Sequence, residues 1–528
     1  MTVEAPRRGI RSVDLSFRPI DLVFWIAVIG VVIANLAVLG PALTSVRLWE
    51  DEAFNLTVPL NLLRGLGYSS DGTLSGSTIT PFDVRISTGP VVMLPIAALM
   101  ALGIEPVLAG RLVGLLGWSL LLGSLWFIGR RLGGRWVGLV AAAVPLAYAA
   151  DPLPSPIQTP VDVLGEVTAA GLLAAALVVL HRRPWLAGLL VGLAIQTKFI
   201  ALLAVPAFAI AALLDAPGSS IWQRVRATLP RVLAAAGLAA APTFVYEVVK
   251  FFSLGPEAGI ENLRNFGWFL LGGGQFGYKV PPIDKLTVFI GAWHLPASVV
   301  FGLVALGVVL AVIGAIAVVK RPKLLADAAA SRAGLREFAV VAGVAVLGLV
   351  TYLVWWLMSS HTPPWLRHPA PGVLAFLPVA IAAVVVLARV ALSSKTWGLT
   401  KPEGGARTTA RVVALRVVAG VLAVAGVAVI SVSLVGRIVG HSYGIWETLD
   451  DQRAAAADIA EFGYDSLASP WGGGVSVIVM SGAHAGLIDA GRAVAGDPRV
   501  WPGEPAEACE LMLQSGDYRL CEPPVPAG

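Results

Sequence analysis

Long uncharged apolar runs alternate with short polar segments over residues 1–436. About 20 apolar residues in a helix, at roughly 1.5 Å each, match the hydrocarbon core of a bilayer. Runs at 20–39, 108–129, 136–150, 160–180, 185–196, 199–214, 232–252, 296–319, 338–358, 372–388 and 412–435, read with the charges between them, predict about eleven spanning helices. The piece 90–102 is shorter and bounded by Gly89-Pro90 and Gly103. It predicts an interfacial or re-entrant helix whose backbone is satisfied against protein. Phe54, Leu56, Val58, Leu62 and Leu63 recur at helical spacing and predict a helix lying on the membrane surface over 52–66. The segments 69–72 and 75–78 read as flexible turns. Beyond 436 the apolar runs stop. A helix over 448–462 and a β-like run over 475–480 predict a small α/β domain at 437–528.

Charge orients the bundle. Arg7, Arg8, Arg11 and Arg18 precede the first run, which is too long for a signal-peptide core and lacks a small-residue cleavage site. An uncleaved first helix with a cytoplasmic N-terminus follows, and it delivers the loop 44–88 to the outer face. The basic segments carrying Arg130, Arg131 and Arg135, then His181, Arg182 and Arg183, then Arg224, Arg226 and Arg231 all fall inside under strict alternation. So do those with Lys320, Arg321, Lys323, Arg332 and Arg336, and with Arg389, Lys395, Lys401, Arg407 and Arg411. The reading is a multi-pass plasma-membrane protein with an extracytoplasmic C-terminal domain.

The chain is 57% hydrophobic and 13% charged, which excludes an ordinary soluble domain. Its net charge of +5 sits in those short loops, so it carries no nucleic-acid signal. Cys509 and Cys521, close together in the outer domain, suggest a disulfide; two free thiols are the alternative. No internal repeat is visible, which counts against inverted-repeat transporters.

Against this apolar background three consecutive acids, Glu50, Asp51 and Glu52, follow the first span. A carboxylate there can act as general base on an acceptor hydroxyl or hold a divalent cation. A solvated acidic edge is the plain alternative. Asp162 and Glu166 stand four apart and would share one face of a helix. Each also has a structural reading, as a helix-start acid and as a buried paired acid. Lys198, flanked by apolar helices, must snorkel or meet an anion. Arg367 and His368 sit in the last outer loop before a span, where Arg can pair a phosphate through two bonds or be ordinary surface charge. Arg111 is a further candidate, or a helix anchor. The loop with Glu257, Glu261, Arg264, Lys279 and Asp284 carries the glycine run 272–274. It lacks a phosphate-loop frame and reads as a mobile outer loop. Asn55-Leu56-Thr57 is a sequon of little weight. No His/Cys metal cluster, serine-hydrolase elbow or nucleotide fold is evident.

Several of these residues lie in ordered short motifs: Asp51-Glu52-Ala53, Asn61-Leu62-Leu63-Arg64-Gly65-Leu66-Gly67-Tyr68, Thr88-Gly89-Pro90 leading to Leu94-Pro95, and Ala109-Gly110-Arg111-Leu112. The order continues through Gly129-Arg130-Arg131-Leu132-Gly133-Gly134-Arg135 to Gly192-Leu193-Ala194-Ile195-Gln196-Thr197-Lys198-Phe199, with Trp365-Leu366-Arg367-His368-Pro369 far downstream. The first 210 residues or so thus resemble the GT-C class of membrane glycosyltransferases. The likeness is to the superfamily of protein mannosyltransferases using dolichyl-phosphate mannose and bacterial aminoarabinose transferases. The resemblance implies a GT-C-like helical fold and transfer of a sugar from a polyprenyl-phosphate donor to a glycan, lipid or protein acceptor on the outer face. It implies Asp51 as catalytic base with Glu52 beside it, Asp162 helping to hold a metal (Mg, Mn or Ca) with Asp51 or to bind acceptor, and Thr197-Lys198 near the lipid phosphate. Glu50 is an extra acid that leaves the choice of base open. A transporter or lipid flippase, with the acids and Lys198 lining a path, is the rival reading, and a glycan-binding scaffold with a degenerate site is a third.

Overall fold

The structure is a computed structural model, and it describes residues 19–73, 79–148, 157, 159–272, 280–329, 334–359, 365–399, 406–440, 447–490 and 497–522. The N-terminal arginines, the turn 75–78, the outer segment 151–154, Lys279 with most of the glycine run, Arg332, His361 and Lys401 lie outside the described residues.

Among the described residues up to 440, sixteen α-helices are present. The first eight are α1 (Pro19–Thr44), α2 (Glu50–Leu63), α3 (Pro90–Ala101), α4 (Pro106–Gly133), α5 (Arg135–Ala147), α6 (Glu166–Val179), α7 (Pro184–Thr197) and α8 (Val205–Leu214). Then come α9 (Ile221–Leu254), α10 (Pro256–Gly272), α11 (Pro282–Gly291), α12 (Ala297–Lys320), α13 (Lys323–Ala329), α14 (Leu335–Met358), α15 (Ala370–Ala391) and α16 (Ala406–Gly440). Seven of them, α1, α4, α9, α12, α14, α15 and α16, are long and apolar enough to cross a membrane. The chain is a multi-pass membrane protein. Each of the eleven expected spans contains a helix, but 160–165 of the expected span 160–180 is a turn, and α5, α6, α7 and α8 have only 13, 14, 14 and 10 residues. That is about 15–21 Å of helix, short of a hydrocarbon core of about 30 Å, so eleven full spans are not what the helix lengths support. Residues 199–204 form a 3-10 turn ahead of α8.

The core is made by α4 and α15, half or more buried along their apolar windows, with α5, α6, α7 and α14 packed around them. By contrast, α1, α9, α12 and α16 bury 17% or less and present Leu, Ile, Val and Phe outward, as lipid-facing helices do. Small residues set the closest approach. A Cβ on Gly188 or Gly192 of α7 would lie 2.1 or 2.3 Å from the Ala235 or Ala239 carbonyl oxygen of α9.

Ion pairs fix one end of the bundle. Arg135 meets Asp21, Arg131 meets Glu337, and Asp215 takes both His181 and Arg336. These residues are the ones that charge alternation assigns to the inner side. The opposite end carries the N-terminus of α2 and the segments 86–90, 159–166, 197–198 and 365–369.

Above that end sits a sheet of order β4-β3-β5-β7-β6, formed by β3 (Ser466–Ser469), β4 (His484–Leu487), β5 (Arg499–Pro502), β6 (Leu511–Ser515) and β7 (Tyr518–Cys521); a separate two-stranded ribbon pairs β1 (Ser69–Ser70) with β2 (Thr80–Pro81). Helix α17 (Leu449–Ala460) matches the expected helix, and Cys509 and Cys521 are disulfide-bonded. The run 475–480 is not a strand. It lies in α18 (Gly473–Ser481), buried along most of its length. The reason is topological: β3 and β4 pair in parallel, and a parallel pair needs a crossover, which α18 provides. A short apolar run does not reveal this by periodicity.

Three other expectations change. Helix α2 exists, but it is buried against α18, α3 and α4 rather than lying on a membrane surface. Asp71, expected in a flexible turn, is buried and accepts from Asn61 Nδ2 (2.8 Å), His484 Nδ1 (2.9 Å) and the Ala485 N–H (2.8 Å). The expected mobile loop 253–286 contains α10 and the start of α11.

Candidate active site

Helix α2 starts at Glu50 because Trp49 is extended and Glu52, at the third helical position, turns back to accept the Trp49 N–H at 3.1 Å. The other Glu52 oxygen accepts the Val163 N–H at 3.0 Å, and the side chain is fully buried. Both oxygens of Glu52 are therefore occupied by backbone. The three acids leave the first turn in different directions, and their environments differ accordingly.

Asp51 keeps 20% of its side-chain surface exposed and pairs through Oδ2 with Arg367 Nη1 at 2.5 Å. Arg367 comes from the turn before α15, and its guanidinium lies 5.3 Å from the Trp49 ring and 4.8 Å from the Trp365 ring. Two aromatic faces and a carboxylate fix a planar cation more firmly than charge alone. His368 packs at 5.2 Å against Trp365 and 6.4 Å against Trp355. Glu50 faces away, bonded to Arg47, which also reaches Glu447 at 3.0 Å. Burial pushes the Glu50 carboxyl above its ordinary range, with Arg47 opposing.

Beneath this rim three backbone segments are bound together. Thr88 and Lys198 form an antiparallel bridge, and the Gly89 N–H donates to the Thr197 carbonyl at 3.0 Å. Thr88 Oγ1 donates to the Leu164 carbonyl at 2.8 Å, and Asn55 Nδ2 donates to the Val163 carbonyl at 2.6 Å. Gly165 takes φ +85°, where a side chain would be strained, and this turn opens α6. Glu166 thus stands at the start of α6, and Lys198 Nζ meets it at 3.0 Å and donates to the Leu164 carbonyl at 2.9 Å. Asp51 and Arg367 are both close enough to act electrostatically on Lys198.

Asp162 is in the preceding turn, so it does not share a helix face with Glu166 as the four-residue spacing suggested. Its Oδ1 accepts from the Thr159 N–H at 2.9 Å and from the Thr159 hydroxyl. Burial, and next the Glu52 carboxylate, push the Asp162 carboxyl well above its usual range; Thr159 and Arg111 oppose this. Arg111 is buried and donates through Nη2 to the Val46 (2.7 Å) and Arg47 (3.0 Å) carbonyls, the anchoring reading of that residue.

The cation expected between Asp51 and Asp162 finds no ready-made cage: Asp51 is engaged by a guanidinium, and among the described residues no three His, Cys, Asp or Glu side chains converge. Asp162 nonetheless lies near the Glu52 carboxylate and keeps a buried Oδ2 without a hydrogen-bond partner. The arrangement places a partly exposed base candidate, Asp51, and two cations, Arg367 and Lys198, around one rim. Sequence reasoning found these three. It gave no weight to Asn55 beyond a sequon and singled out neither Trp49 nor Trp365 as a partner of Arg367; the signal for these was their adjacency to the charged motifs.

No protein-family model matches the chain, and no curated protein matches its sequence. Solved structures do match. ArnT from Cupriavidus metallidurans bound to undecaprenyl phosphate aligns with 96% of this chain and 98% of its own, at 15% identity and a TM-score of 0.52. Its apo form aligns over 95% and 97%, at 14% identity and a TM-score of 0.51. An oligosaccharyltransferase from Archaeoglobus fulgidus covers 88% of this chain and 65% of its own, at 12% identity and a TM-score of 0.42. The chain therefore has the GT-C fold of ArnT, as its sequence motifs imply.

Proposed function

We propose that the chain is a glycosyltransferase that moves a sugar from a polyprenyl-phosphate donor to an acceptor hydroxyl at the outer face of the membrane. The supporting observation is the rim itself: Asp51, a fifth exposed, is held by Arg367 beside the buried Lys198–Glu166 pair. Undecaprenyl phosphate, the lipid in the ArnT structure, belongs to the donor chemistry proposed here. Asp51 removes the acceptor proton as the oxygen attacks the anomeric carbon. The bond from that carbon to the phosphate oxygen breaks, and the lipid phosphate leaves with the electron pair. Arg367 gives one Nη1 contact to Asp51, and its fork has further N–H donors for the leaving phosphate. Lys198 supplies a second, compact positive charge, and Glu166 holds it in place. Glu52 and Arg111 shape the site without touching substrate. In this reading residues 1–436 are the catalytic membrane domain, with the N-terminus cytoplasmic, and 437–528 form an extracytoplasmic domain.

The test is label transfer in nanodiscs from a panel of polyprenyl-phosphate sugars to envelope acceptors, comparing wild type with Asp51→Asn. A general base contributes about 10²–10⁴-fold, so the variant should fall by that factor with its fold intact. Full activity in Asp51→Asn would remove Asp51 from the role. No transfer by wild type from any donor, together with lipid or solute movement, would replace the whole reading with the transporter one.

A further inference from the structure

The residues just before the acids are gripped from two sides. From below, Arg111 holds the Val46 and Arg47 carbonyls. From above, the C-terminal domain pairs with the same stretch: Val46 bridges Thr448, and the Leu449 N–H donates to the Ser45 carbonyl at 3.0 Å. Gln452 continues this pairing with its side chain. Its Oε1 accepts the Leu48 N–H at 2.7 Å, and its Nε2 donates to the Leu48 carbonyl at 3.1 Å and to Glu447 Oε1 at 3.1 Å. The side chain is fully buried. A primary amide is the side-chain group that can donate and accept within one plane as a neighbouring strand does. Leu48 precedes Trp49, which caps α2 and stacks on Arg367, and Asp51 follows two residues on.

We infer that Gln452 is a positioning residue for the transferase site: through the Leu48 backbone it sets the direction in which Trp49 and Asp51 leave the first span, so the outer domain forms one wall of the active site. This rests on the transferase reading above. A second contact between the domain and the loop allows the inference to be separated from simple docking. Asp71 and His484 join the same two parts near the far end of α2, away from the acids. Losing that contact loosens the domain without reaching Leu48.

The experiment uses the full chain in nanodiscs, comparing wild type, Gln452→Ala, Gln452→Glu and His484→Ala. Gln452→Ala should lower kcat by about tenfold to a hundredfold, the effect of a small misplacement of catalytic groups, with donor KM within about twofold. His484→Ala should leave kcat near wild type. In Gln452→Glu the carboxylate cannot donate to Leu48 and faces Glu447, whereas its protonated form can donate and accept. Its kcat relative to wild type should therefore recover as pH falls. Hydrogen exchange of the amides at 49–53 is read in parallel, and it should rise in Gln452→Ala and not in His484→Ala. Unchanged kcat and exchange in Gln452→Ala, or equal losses in Gln452→Ala and His484→Ala, overturn the inference. If wild type shows no transfer at all, the transferase reading fails, and the exchange data alone still decide whether Gln452 fixes the start of α2.

Discussion

Gly89→Ala gives the strictest test of the site's scaffold. Gly89 has an ordinary extended backbone, φ −94°, so alanine meets no conformational penalty there. The obstacle is contact: the added Cβ would lie 2.1 Å from the Gln196 carbonyl oxygen and 2.9 Å from its carbon. Normal separation for such atoms is roughly 3.5 Å, so the two backbones must part by about 1 Å or more. Neither side yields easily. Pro90 begins α3 directly after Gly89, and Gln196 is in the last turn of α7. The segments that part are those joined by the Thr88–Lys198 bridge and the Gly89–Thr197 hydrogen bond. Overpacking of this kind costs about 1–3 kcal/mol of stability. Displacing Lys198 from Glu166 by about 1 Å should cost roughly a hundredfold in turnover. Steady-state transfer and thermal unfolding in the same detergent measure both effects. Gly123→Ala, where the added Cβ meets nothing within 4 Å, serves as control in α4. Wild-type turnover in Gly89→Ala, or a loss matched by Gly123→Ala, would refute the claim that this backbone junction positions the cations.

Two further outcomes follow from the same geometry. Arg367→Lys keeps the charge but loses the planar fork and its stacking between Trp49 and Trp365, so transfer should drop by about tenfold or more, and a KM for donor and a kcat both at wild-type values would count against the phosphate role. Glu50→Gln tests linkage: because burial raises the folded-state pKa of Glu50, the native chain keeps a proton that the unfolded chain loses near pH 4, so wild-type stability falls as pH rises through the folded value and is level above it. Denaturation of both proteins between about pH 4 and 8 should show the difference moving in favour of Glu50→Gln with rising pH, and movement in the other direction would contradict the buried reading of Glu50.

The helices were legible because each apolar run has a single physical use in a bilayer, and the expected spans 296–319, 338–358 and 372–388 appear, within a few residues at each end, as α12, α14 and α15. Failures concentrated where backbone conformation or distant partners decide. Glu166 begins a helix rather than continuing one from Asp162, because Gly165 takes a left-handed conformation that no four-residue spacing reveals. The run 475–480 could fill a strand or a crossover, and only the parallel pairing of β3 with β4 decides between them. Asp71 looked like a turn residue, and two of its partners, His484 and Ala485, lie 413 and 414 residues downstream. Arg47 with Glu447 and Leu48 with Gln452 are likewise some 400 positions apart. Such pairs carry no local signature, so the docking of the C-terminal region on the loop after α1 was not legible.

Burial then separates acids that the sequence presents as equals. A carboxylate with both oxygens on backbone N–H groups is poorly placed to take a substrate proton, because it would first have to give up a hydrogen bond that nothing buried replaces. Glu52 is in that state, with Trp49 and Val163 as its donors. Asp162 is closed in by Thr159, and its burial favours the protonated form, which is the wrong state for a base. Glu166 is committed to Lys198. Glu50 is directed to Arg47, which also pairs with Glu447. Asp51 alone of these five keeps a fifth of its side chain exposed beside both cations of the rim. Arg367 holds it through Oδ2 without enclosing it; under the proposed transfer, the exposed side of Asp51 would receive the acceptor hydroxyl and the remaining guanidinium N–H donors the leaving phosphate. The central acid of the triplet is therefore the one whose geometry suits a base, and the flanking acids form the framework that directs it outward.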